Sequence, residues 1–171
     1  MTETIYFILI AGHIIGTVLG VGAATFAEIH YTLFNRDDVI DEKEGSVLRV
    51  TYFVMRLGLL LLVVSGFSFL LYYRITETRL EVLHSPQFWA KMSVVMILVL
   101  NAILLQARRM PMRWGAAISL TSWYTALILG AGRIEGVSYV GVMLTYAVAV
   151  IVVMFVLGRI RAHIHGNQKR T

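Results

Sequence analysis

The chain has 171 residues, 58% of them hydrophobic and only 15% charged, with a mean hydropathy of +0.75 and a formal net charge of +5. A balance this apolar excludes an ordinary soluble domain of this size. The absence of cysteine excludes disulfide frameworks, thiolate metal sites and thiol nucleophiles. No basic cluster is interleaved with aromatic residues, so the positive charge reads as membrane topology and not as nucleic-acid binding.

Five apolar stretches predict spanning helices, at about 5–29, 50–73, 87–107, 114–132 and 138–158. Each lies near the ~20 residues that a crossing requires. The expected fold is all-α, a single polytopic transmembrane bundle of five helices, followed by a short basic tail, 159–171. The first stretch lacks the basic flank of a signal peptide, because Met1-Thr2-Glu3-Thr4 precedes it.

That first stretch organises the chain. Gly12, Gly16, Gly20 and Ala24 recur every fourth residue, and Glu28 continues the step. On a helix this spacing makes one slowly winding ridge of small residues, a surface that lets a second helix approach closely. The ridge is therefore expected to be buried against a neighbour. His13 lies immediately beside it.

The loop that follows is acidic, with Asp37, Asp38, Asp41, Glu42 and Glu44, but lacks the ligand spacing of an EF-hand. It reads as a solvated loop or a short surface helix. Pro86, after His84 and Ser85, suits the first turn of the third span. The fourth span carries a second small-residue face, Gly115, Ser119, Ser122, Ala126 and Gly130, expected to pack on a neighbour such as the first helix. The fifth is rich in Val, Ile and Leu and is expected at the periphery, facing lipid.

Lysine and arginine set the orientation. Arg36, Lys43, Arg49, Arg108, Arg109, Arg113, Arg159, Arg161, Lys169 and Arg170 share one side of a five-span chain. Arg74, Arg79 and Arg133 lie on the other, with Lys91 just inside the third span. The bias places the N-terminus outside and the C-terminus in the cytoplasm of a bacterial-type inner membrane.

Polar groups inside the spans carry the functional information, since each must face the bundle or reach an interface. At 1.5 Å per residue, His13 falls about 12 Å and Lys91 about 6 Å below the outer boundary. His13, Lys91, His84 and Tyr139 form an expected outer layer; Glu28, His30, Arg56 and Asn101 form an inner one, with Glu28 expected to pair with Arg56. The His13 imidazole suits a haem or metal ligand, a proton-transfer group, or an interhelical hydrogen bond. Lys91 suits a snorkelling anchor or a carboxylate partner. His84 would join His13 as a second axial ligand if its loop folded inward. The pair Met92 and Met96 suits packing or Cu(I). His163-x-His165 reads as part of a solvated tail.

The text His13-Ile14-Ile15-Gly16, with its small-residue run, resembles a loose group of small bacterial membrane proteins. The group includes the haem-associated membrane protoporphyrinogen oxidases and the copper-resistance D family. Phe88-Trp89-Ala90-Lys91-Met92 matches the lysine at the start of the third helix, while Trp89 stands where the oxidases carry a histidine. The resemblance spans roughly residues 7–105. It implies a helical bundle, haem b, redox chemistry, and cofactor contacts through His13 and Lys91. Two further readings remain open on the residues: a small transporter or permease component, and an assembly protein whose small-residue faces bind partner helices, including a second copy.

Overall fold

The computed structural model describes residues 2–34, 40–132, 134 and 136–168. Arg36, Asp37, Asp38, Arg133, Lys169, Arg170 and the side chain of His165 lie outside this set. All six helices among the described residues are α: α1 (Thr2–Phe34), α2 (Glu42–Thr76), α3 (Leu80–Leu83), α4 (Pro86–Gln106), α5 (Met112–Ala131) and α6 (Tyr139–Gln168).

Four of these, α1, α2, α4 and α6, are long and apolar enough to cross a membrane. The fourth predicted span, α5, is 20 residues long but does not join them. Its Ser, Thr, Trp and Tyr residues dilute its apolar run. Among the described residues it has the most buried residues of any helix, with Gly115, Ala117, Ser119, Thr121, Ser122, Trp123, Ala126 and Leu129 all inside.

The helix ends follow local chemistry. Asp41 caps α2: its side chain accepts from the Glu44 amide at 2.8 Å, and the Glu44 carboxylate accepts from the Asp41 amide at 3.0 Å. This capping box starts α2 eight residues before the predicted span and engages carboxylates of the acidic loop. Ser85 caps α4, with Pro86 in its first turn as expected. Between α2 and α4, Glu77 and Arg79 take left-handed backbone angles, and the single turn α3, absent from the sequence reading, tucks Leu83 inside. At the far end α6 runs on to Gln168, so the basic segment from Arg159 continues the helix instead of forming a separate tail.

The long helices that follow one another in the chain are antiparallel. On α1 and α2, Tyr6 meets Tyr73, His13 meets Ser65 and Gly16 meets Leu62. On α4 and α5, Lys91 lies by Gly130 and Asn101 by Gly115. On α5 and α6, Ser122 meets Tyr146.

The small-residue ridge of α1 is buried at Gly16, Gly20 and Ala24. A Cβ on Gly16 would lie 2.8 Å from the Leu62 nitrogen, and one on Gly58 would lie 2.6 Å from the Gly20 nitrogen. The α1–α2 crossing is therefore glycine on glycine. Trp123 of α5 lays its ring over Gly20. Gly12 is the exception, because a Cβ there would meet nothing within 4 Å. The α5 face turns mainly to other helices than α1: Gly115 against Leu105 of α4, Gly130 against Lys91, and Ser122 against Tyr146 of α6. These faces are thus engaged within one chain. As expected, α6 exposes an apolar flank, including Leu144, Val148, Ile151, Val152 and Phe155.

Two packed clusters hold the bundle. Ala24, Leu62, Leu98 and Trp123 join α1, α2, α4 and α5. Val94, Tyr146 and Val150 join α4 to α6.

Candidate functional site

The cluster of Ala24, Leu62, Leu98 and Trp123 forms a dry layer. Toward the end of the bundle that carries α3, the helices diverge around a cavity of about 720 Å³. Its wall is mostly apolar and aromatic, with Leu62, Val63, Phe67, Phe69, Phe88, Met92 and Val95 among the lining residues. His13, Tyr73, Arg79, Glu81, Gln87 and Lys91 supply its polar groups. This size and this mixture of apolar wall with few polar groups are those of a small-molecule site.

His13 and Lys91, placed in one layer by helical rise alone, meet in this cavity. The Lys91 ammonium lies 3.4 Å from His13 Nε2. The imidazole is fixed from behind. Ser65 donates its hydroxyl proton to the Leu61 carbonyl at 2.6 Å. Its oxygen is then free to accept from His13 Nδ1, 2.9 Å away. A hydroxyl has one proton, so this assigns the Nδ1–H tautomer and leaves the Nε2 lone pair facing Lys91 and the cavity. Phe69 meets the ring edge-on, with centroids 5.7 Å apart.

Small residues make room for both groups. A Cβ on Gly66 would come within 3.9 Å of the His13 ring, and one on Gly130 within 3.1 Å of the Lys91 nitrogen. Lys91 is half-buried and forms no ion pair among the described residues. Gln87 pins the rim by donating to the Leu129 and Gly132 carbonyls at 2.8 and 2.6 Å. It also accepts from the Ile134 amide at 3.0 Å.

The other residues expected in the outer layer stand elsewhere. His84 is exposed, is not among the cavity's lining residues, and donates from Nδ1 to the Leu80 carbonyl at 2.8 Å. The short α3 turn holds it there. Tyr139 is exposed and hydrogen-bonds Ser93 at 3.0 Å. Met92 lines the cavity but Met96 is exposed, so the two thioethers do not form a pair of donors there.

The expected inner layer is corrected in its central pair. Glu28 bonds Arg161 of α6, whereas Arg56 is exposed and makes no ion pair among the described residues. The physical reason is the continuation of α6: one further turn carries Arg161 back over α1, where it also sits 5.0 Å above the Tyr31 ring. Asn101 donates to the Gly115 carbonyl at 2.9 Å, tying α4 to α5. His30 stacks on Phe34, with ring centroids 5.3 Å apart. These groups make their contacts at separate places.

Sequence reading missed Ser65, Gln87 and Arg161. Ser65 had one signal, a hydroxyl inside an apolar run opposite the depth of His13. Among the described residues no group of three or more His, Cys, Asp or Glu side chains is placed to hold a metal ion. Iron at His13 would therefore depend on a macrocycle for its other ligands. No family model, curated protein or solved structure matches the chain.

Proposed function

We propose that this integral membrane protein binds haem or a related porphyrin in the cavity beside His13 and serves a redox role. One observation carries the reading: an imidazole whose Nδ1 proton is committed to Ser65 presents its Nε2 lone pair to a largely apolar cavity, beside a lysine without an ion-pair partner among the described residues. The donor set fits such a group. His13 would hold the iron through Nε2, with its ring oriented by the hydrogen bond from Nδ1 to Ser65. The Lys91 ammonium, on its flexible four-carbon stem, would hold a carboxylate of such a group. Arg79, at the rim, is a second cation for the acidic edge. Phe67, Phe69 and Phe88 line the cavity and would shield such a group from water. Bound haem supplies the one-electron chemistry that side chains lack; the bundle supplies position, polarity and a dry floor.

That floor favours binding over transport. Trp123, Leu98, Leu62 and Ala24 are all 5% exposed or less and lie between the cavity and the Glu28–Arg161 pair. A transport path would have to join the two polar regions through this layer. The cavity in turn counts against a purely adhesive bundle.

Titrating the detergent-purified protein with hemin tests the Lys91 assignment. Lys91→Met is expected to weaken binding by about tenfold or more, the scale of one charge-assisted hydrogen bond. Unchanged affinity would remove Lys91 from the site.

The proposal includes α5 as a fifth crossing, with the cavity toward the outer face and the C-terminus in the cytoplasm. The antiparallel alternation of α4, α5 and α6 and the basic bias support it. Reporter fusions after Ile134 and at Thr171 are expected to report opposite sides of the membrane. Both on one side would contradict five crossings.

A further inference from the structure

The end of the bundle opposite the His13 cavity holds a second depression, of about 390 Å³, lined by Arg113, Phe155, Gly158, Arg159 and Arg161. It is independent of the proposed porphyrin site. Arg113 comes from the first turn of α5, and the other four residues come from the last turns of α6. Gly158 seats the Arg113 guanidinium, since a Cβ there would touch its Nη2 at 3.8 Å. Three guanidiniums thus surround one hollow. Glu28 pairs with Arg161, so the charge left at the site is positive.

The vertical order of groups is informative. Next to the arginines stands Phe155, and one turn further into the apolar length of α6 come the exposed Val152 and Ile151. Cationic donors at the end of an apolar helix face, continuous with a lipid-facing strip, match a phosphate carrying acyl chains. Arginine forks bind phosphate oxygens bidentately, and basic pockets between membrane helices suit anionic headgroups.

We propose that this hollow holds the phosphodiester of an anionic phospholipid, whose acyl chains lie along the Phe155 face of α6. Thermal unfolding in a neutral detergent tests it, with added dioleoylphosphatidylglycerol, dioleoylphosphatidylcholine or inorganic phosphate at equal concentration. Phosphatidylglycerol is expected to raise Tm by about 3 °C or more, and the Arg113→Gln/Arg159→Gln variant to lose most of that shift. An equal shift with phosphatidylcholine would overturn the proposal, because the net headgroup charge would not be read. An equal shift with inorganic phosphate would overturn the lipid as the source of the phosphate. A shift that survives the double variant would overturn the site. If the double variant does not fold, Arg159→Gln alone, at an exposed side chain, is held to the same criteria. Hemin binding by the variant is expected to be unchanged, which separates this test from the fate of the porphyrin site.

Discussion

Replacing Gly58 by leucine is expected to lower the stability of the bundle in detergent by about 3 kcal/mol, the upper end of the usual cost of overpacking. The contact leaves nothing cheap to move. An added Cβ would lie 2.6 Å from the Gly20 nitrogen, 2.8 Å from the Gly16 oxygen and 2.9 Å from the Gly20 Cα. All three are backbone atoms, so α1 and α2 must separate. Separation would also loosen His13 from Ser65 and Gly20 from the Trp123 ring, on either side of the crossing. Gly12→Ala provides the control, since its Cβ would meet nothing within 4 Å and alanine favours a helix. Its unfolding temperature is expected to stay level or rise slightly. Equal losses at Gly58 and Gly12 would mean that general helix effects, and not the crossing, set the result.

The second large effect is expected at the Glu28–Arg161 pair. Glu28 and Arg161 have side chains only 11% and 16% exposed. Glu28→Gln alone and Arg161→Met alone are each expected to cost about 3–5 kcal/mol, because each removes one half of a largely buried ion pair. The double variant is expected to lose clearly less than the sum, since neither charge then remains. Thermal or denaturant unfolding of the four proteins measures the coupling. Strict additivity would reject the pair. Arg56→Gln is expected to leave Tm unchanged, because Arg56 is exposed.

Those two cases show what a sequence of this kind reveals and what it conceals. The Gly16–Gly20–Ala24 ridge was legible because a four-residue step maps directly onto one helix face. His13 and Lys91 were legible as a layer because helical rise fixes depth in a membrane with little ambiguity. Depth, however, says nothing about azimuth. Arg56 and Glu28 lie at matching depths, yet Arg56 turns outward, and the true partner sits beyond the expected end of α6. The capping box at Asp41 and the continuation of α6 lengthened helices past the apolar runs that defined them, since backbone propensity and capping do not stop at a membrane boundary. The hydrogen bond from His13 to Ser65 was concealed for a similar reason: a serine that bonds its own helix leaves little pattern in the sequence. The α3 turn, made by left-handed Glu77 and Arg79, carries no glycine or proline to announce it. It is this turn that keeps His84 outside the cavity.

The central claim is that His13 faces haem iron. The absorption spectrum of protein purified from haem-replete cells tests it most directly, with His13→Ala and His84→Ala measured alongside. A Soret band is expected in the parent protein and in His84→Ala, whose imidazole bonds the Leu80 carbonyl away from the cavity. His13→Ala is expected to lose the band or shift it strongly, because no other histidine lines the cavity among the described residues. No Soret band in the parent protein, or an unaltered band in His13→Ala, would contradict the account.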